Sequence, residues 1–275
     1  MIDMSKLSTI YFQYIKNYYR SKSFYLMLFL ILVIGVMMVY FSLRYVNTLP
    51  GFLGSTSLSP SLKETLFYYI WTFILANIPV FASVFFGSPA LSSEIENRTA
   101  YYIFPLPINR YKLYIGKYLA AVTVTLIIVA IYTVFELGTL GFLFKNLPPV
   151  DFYYSLGLLI LFILSIMSIT FMISAIFNKN TYAYISVFII YYIVFEAGSL
   201  IIELLYKVTP TYLLNEAATI IDRVYMNINT TDFLAKPSIS PAPFSDVILA
   251  MLVMLIYLVV SFIIGMFLFE RKEVS

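Results

Sequence analysis

The chain has no cysteine and no histidine among its 275 residues. Disulfides, thiolate chemistry, histidine-ligated haem and the usual zinc sites are therefore excluded. Charge is scarce as well. Asp, Glu, Lys and Arg make up 11% of the sequence, against roughly a quarter of an ordinary globular protein. The net charge of +3 is small and dispersed, so nucleic acid is not an expected partner. The ten glycines never fall in the spacing GxxxxGK[ST], so the chain carries no phosphate loop of its own. Neither an HExxH metalloprotease motif nor a DDxxD diphosphate motif occurs. What is abundant is apolar: 61% hydrophobic residues and a mean hydropathy of +0.91. A soluble domain of this length could not hide so much apolar surface, and the bilayer is the natural solvent.

A hydrocarbon core of roughly 30 Å needs about 20 apolar residues in a helix. Six runs meet that need, near residues 23–43, 66–86, 118–144, 152–177, 182–206 and 246–269. All are expected to be helices, because backbone groups in lipid must satisfy one another; a β-barrel would show short alternating segments. The fold class is thus all-α integral membrane. The first run is long, follows a basic segment and lacks a small-residue cleavage site, so it is expected to stay as a span. Lys and Arg set the orientation. Eleven of the 17 lie in the N-terminal segment, the loop after the second span, the turn after the fourth and the tail after the sixth. Both termini are accordingly expected to be cytoplasmic, in a multi-pass plasma-membrane protein. The segment 207–245 becomes an external loop. Within it, Leu213, Leu214, Ala217, Ile220, Ile221 and Val224 recur at helical spacing, which predicts an amphipathic or re-entrant helix lying on the outer surface.

Two segments outside the spans have more structure than a connector needs. In residues 6–22 the apolar Leu7, Ile10, Tyr11, Tyr14, Ile15 and Tyr18 share one helix face. Lys6, Lys16 and Arg20 take the opposite face, and Lys22 closes the segment. This predicts a helix lying in the membrane interface, or else a basic topology signal that happens to be helical. The loop 93–110 reads SEIENRTAYYIFPLPINR. Ser93 and Glu96 fit a capping box, predicting a short helix from about Glu94 to Phe104, stopped by Pro105 and Pro107. That places Glu94 and Glu96 in its first turn and Arg98 a turn later. Such an element suits docking into a groove on another protein; a solvated loop whose charges only set topology is the plainer alternative.

Glu94, Thr99, Leu106-Pro107-Ile108, Arg110 and Gly116-Lys117, with the basic stretch Arg20-Ser21-Lys22 ahead of the first span, resemble the pattern of ABC-2 family permeases. These are the membrane subunits of ATP-binding-cassette exporters. The likeness covers about 30 residues in motif and the whole chain in layout. One residue departs from it: the family's usual Gly before Thr99 is Arg98 here. The resemblance implies a transport subunit without ATPase activity that works as a dimer, with a second copy or a relative. Separate ABC-type ATPases would bind the ATP and Mg. Glu94, Glu96, Arg98, Thr99, Pro107, Arg110, Gly116 and Lys117 would couple the spans to those ATPases, beside the interfacial helix carrying Lys16, Arg20 and Lys22.

Acids inside spans are costly. Glu136 lies 19 residues beyond Lys117, about 28 Å of rise, and is expected to reach the outer headgroups. Glu203 is near the outer end, and Asp246 is expected to cap the sixth span. Glu196 lies about 21 Å into the fifth span; it either lines a pathway, with Gly198 permitting a helix break, or bonds a nearby Tyr or Ser. The 25 Tyr and 25 Phe suit packing and interface anchoring better than an aromatic substrate cage. An ATP-independent secondary transporter would place ionisable groups near the midplanes of its spans, and these are nearly free of them. A non-transporting membrane anchor and an intramembrane enzyme are further alternatives.

Overall fold

A computed structural model describes residues 4–47, 60–99, 109–226 and 241–272. Among these residues the architecture is all-helical, and six helices are long and apolar enough to cross a membrane. In chain order the helices are α1 (Met4–Tyr19), α2 (Lys22–Tyr45), α3 (Pro60–Gly87), α4 (Pro89–Glu96), α5 (Arg110–Phe144), α6 (Val150–Ile176), α7 (Asn180–Tyr206), α8 (Leu214–Arg223) and α9 (Phe244–Arg271). The spans are α2, α3, α5, α6, α7 and α9.

Local chemistry sets the ends. The segment 6–22 is not one helix: α1 stops at Tyr19 and α2 starts at Lys22. Ser21 makes both boundaries, because its hydroxyl donates to the Tyr18 carbonyl at 2.7 Å and accepts from the Phe24 N–H at 3.2 Å. The resulting N-cap turns the chain from α1 into the first span. Pro149 and Pro243 occupy the cap positions before α6 and α9, where the missing proline N–H is no loss. Asp246 therefore does not cap α9. It sits one turn in, with Oδ2 3.8 Å from an Arg223 guanidinium nitrogen.

The centre of the bundle is α6. It packs against α3, α5, α8 and α9, and its Phe162, Ile163, Met167 and Phe171 are fully buried. Close approach to α9 depends on Gly265, where an added Cβ would lie 2.4 Å from the Tyr114 hydroxyl and 2.9 Å from the Met172 Cα. Small residues serve this purpose between spans, where packing replaces the hydrophobic effect as the driving force. The outward faces of α2, α7 and α9 remain apolar and exposed, as at Phe29, Met37, Ile193, Leu204 and Ile256.

α8 departs from expectation. Its apolar face meets protein instead of the membrane surface: Leu214, Ala217, Ile220 and Ile221 are buried against α3, α6 and α9. The Ser155 hydroxyl of α6 bonds the Ile221 carbonyl at 2.7 Å. Inside α7, Ile189–Ala197 is wound as a π-helix that ends at Gly198. The helix is not broken at Gly198, and a Cβ there would meet only the Ile193 carbonyl, at 3.9 Å.

Candidate functional site

Six of the residues singled out in the sequence, Glu94, Glu96, Arg98, Thr99, Gly116 and Lys117, lie where α1, α4 and the start of α5 meet. The capping-box reading of Ser93 and Glu96 is incorrect. α4 begins five residues earlier than expected, with Pro89 in its first turn, and ends at Glu96. Two features start it early. Proline is preorganised for the first helical turn, and the cap comes from another helix: Ser174 of α6 accepts from the N–H groups of Leu91 and Ser92, both at 3.1 Å, and donates to the Ser88 carbonyl at 2.6 Å. Ser93 is consequently mid-helix, and its carbonyl accepts from the Asn97 N–H at 2.9 Å. Both acids fall near the C-terminal end of α4, where the helix dipole disfavours them, so each relies on a partner.

Glu96 finds its partner at the start of α7, where its carboxylate accepts from the Asn180 N–H at 2.8 Å. An acid at a helix N-terminus is well placed. Ser92 adds a bond to the Asn180 side chain at 2.6 Å. Glu94 faces inward and is only 6% exposed. It pairs with Lys117, which is 1% exposed, and accepts from the Tyr14 hydroxyl at 2.5 Å. The Lys117 ammonium also donates to the Ala90 carbonyl at 2.5 Å and lies 4.8 Å from the centre of the Tyr14 ring. Burial, reinforced by the Glu94 charge, pushes the Tyr14 phenol well above its usual range. Gly116 lets α1 come close, since a Cβ there would lie 2.6 Å from Ile10 Cγ2. Glu94, Gly116 and Lys117 thus lie inside the protein, welding α1, α4 and α5 together.

After Glu96 the chain turns at Arg98, whose φ of 58° is left-handed. That is the conformation glycine adopts most readily, at the position where the resembled pattern has Gly. The Thr99 hydroxyl returns to the Glu94 carbonyl at 3.1 Å. Glu96, Arg98 and Thr99 are exposed. Beside them an open groove of about 350 Å³ runs between α1 and α4, with Gln13, Asn17, Tyr18 and Ser93 in its walls. Pro107 and the expected helical turn through Phe104 lie outside the described residues. Lys16, Arg20 and Lys22 are exposed, while the opposite face of α1 is taken up by protein: the Tyr11 and Tyr18 hydroxyls bond Thr123 and the Phe86 carbonyl at 3.0 and 2.8 Å.

Arg110 points elsewhere. Its Nη1 donates to the carbonyls of Glu270 and Lys272, both at 2.8 Å, at the end of α9. Lys272 in turn donates to the carbonyls of Ala175 and Phe177 at the end of α6, at 2.6 and 2.9 Å. Ser174, Asn180 and Lys272 were not singled out in the sequence, and Tyr14 was placed only on the apolar face of the 6–22 segment. A basic residue just past a span was the one hint, for Lys272.

At the far end of the bundle Glu196 is exposed, on the π-helical stretch of α7. Near it, Asn215 of α8 donates to the Ser199 hydroxyl at 2.8 Å and to Glu216 at 3.4 Å. Glu136, expected at the outer headgroups, is fully buried inside the protein, with Thr72 donating to it from 3.5 Å. Among the described residues no cluster is arranged to hold a metal ion.

Residues 10–274 match the model of a protein family described as "ABC-2 family transporter protein". No curated protein matches the chain.

Proposed function

The chain belongs to the ABC-2 transporter family, and from that premise we propose that it is the membrane half of an exporter driven by separate cytoplasmic ATPases. Family membership makes it a multi-pass transport subunit. In our reading both termini, α1 and α4 face the cytoplasm. Two permease chains, identical or related, enclose the pathway, and an ATPase carrying ATP and Mg docks under each.

The observation that carries this reading is the two-sidedness of α4. One side is fixed by buried bonds to α1, α5 and α6. At the other, Glu96, itself tied to the start of α7, and the turn residues Arg98 and Thr99 that follow the helix face solvent beside an open groove. A partner pushing on the exposed side moves four helices at once. Pairing of two permease chains is supported by Glu196. It is exposed on a span, with a bond to Asn215 of α8 as its polar contact; a carboxylate in a span is costly, and a second chain against α2 and α7 would complete its polar surroundings in a shared pathway.

The test is co-purification. Tagged protein in mild detergent should bring down a Walker-type ATPase, and Glu96→Ala with Arg98→Ala should weaken that association. Purified chain that moves solute uphill when reconstituted alone would sink the reading.

A further inference from the structure

Arg110 opens α5 at the exit of the loop, yet the bonds it makes to backbone run to the other end of the chain. Its guanidinium donates to two acceptors at the end of α9, the carbonyls of Glu270 and Lys272. The last carbonyls of a helix have no partner within it, and a cation there also complements the helix dipole. Lys272 extends the chain of bonds, donating to Ala175 and Phe177 at the end of α6. Ala175 is one residue from Ser174, which caps α4. Arg110, Lys272 and Ser174 therefore close a ring of polar contacts from α5 through α9 and α6 back to α4. α9 contacts neither α1 nor α4 to any extent and reaches them through this ring and through its packing on α6 and α5.

We propose that Arg110 is a positioning residue that carries movement of the loop to the last span, with Lys272 as the second link. This deepens the proposed function and rests on it: the ATPase pushes on α4, and Arg110 makes α9 follow α5. Because these bonds end on backbone carbonyls, they depend on the cation at Arg110. Lysine at Arg110 should serve in part, and a neutral residue should not.

The native chain has no cysteine, so a pair of introduced cysteines can be spin-labelled selectively in this chain, which is then diluted with unlabelled chain and reassembled with the co-purified ATPase. Tyr153→Cys with Phe244→Cys reports the separation of α6 and α9 at the far end; both native side chains are exposed, 61% and 76%. Asn109→Cys with Glu270→Cys reports the clasp. With Arg110 intact, trapping with ATP and vanadate should change the first distance and leave the second constant. Arg110→Ala should keep the ATPase bound, lengthen the second distance, and lower about tenfold the ratio of shifted to unshifted far-end distances on trapping, within the usual range of coupling between sites. Arg110→Lys should restore much of it. Lys272→Gln should reproduce the loss in a milder form, which covers the case that Arg110→Ala does not fold. An unchanged far-end response in Arg110→Ala or in Lys272→Gln, with the ATPase still bound, overturns the inference alone. Release of the ATPase by Arg110→Ala also overturns it, by making Arg110 a docking contact. A native chain that brings down no ATPase overturns the proposed function and this inference together.

Discussion

Glu94 and Lys117 are both nearly inaccessible to water, so their pairing must be judged against the cost of desolvating two charges. Tyr14 and the Ala90 carbonyl supply further bonds, and α1, α4 and α5 are held in register. Removing one partner strands the other charge. Lys117→Met or Glu94→Gln alone should destabilise the protein by about 3–5 kcal/mol, while the double variant should cost much less than the sum. Thermal unfolding in one detergent checks this, and additive losses would mean the pair is not coupled. Gly265 makes a second test at this scale. Ala there must displace both the Tyr114 hydroxyl and the Met172 backbone, and should destabilise by about 1–3 kcal/mol. The motif residues were legible in the sequence because their types and spacing are. Their partners were not: Lys117 is 23 residues from Glu94 and Tyr14 is 80 residues from it, and no periodicity reports a contact closed by three separate helices.

At the scale of single elements, α4 shows why a local signal misled. Ser-x-x-Glu marks a helix start when nothing else competes. Here Pro89 and the hydroxyl of Ser174, from a helix more than eighty residues on, supply the start instead. The end of α4 obeys local rules. Asn97 and Arg98 leave the helix through a left-handed residue, with the Arg98 N–H bonding back to the Ile95 carbonyl at 3.0 Å. A side chain in that conformation costs roughly 1–2 kcal/mol. Arg98→Gly should therefore raise stability by about 1 kcal/mol while weakening any ATPase contact the guanidinium makes. Melting and co-purification on the same variant separate the two effects, and a loss of stability would show that the side chain has a structural role. The six spans were legible for the opposite reason to the cap: lipid imposes one solution on each apolar run, so composition alone identifies them. The π-helical stretch of α7 leaves no such mark, because its residues are as apolar as the α-helical turns around it.

Across the whole molecule, the two ends of the bundle are closed differently. At the end carrying the termini, hydrogen bonds tie α4, α5, α6, α7 and α9 together. At the far end, α8 lies against α3, α6 and α9 with an acid beneath it. The amphipathic pattern of α8 was legible, but periodicity cannot say whether an apolar face meets lipid or protein. Asp222 is the residue that distinguishes them, because a carboxyl only 5% exposed is expected where protein can supply partners. It is bonded to the Tyr69 hydroxyl of α3. Burial pushes its pKa up to about 7, opposed only in part by hydrogen bonds and by the charge of Arg223. The docked helix thus holds the Asp222 proton more tightly than an undocked one would. Docking is strongest below the ordinary carboxylate range, near pH 4, and weakens by about 1.4 kcal/mol per pH unit as pH rises towards 7. Above 7 the contribution is lost. Amide hydrogen exchange across residues 214–223, corrected for intrinsic rates, should accelerate from pH 5 to pH 8 in the native protein. Asp222→Asn cannot ionise and should flatten that dependence. Protection that stays constant with pH in the native chain, or a slope that persists in Asp222→Asn, would show that another group fastens α8.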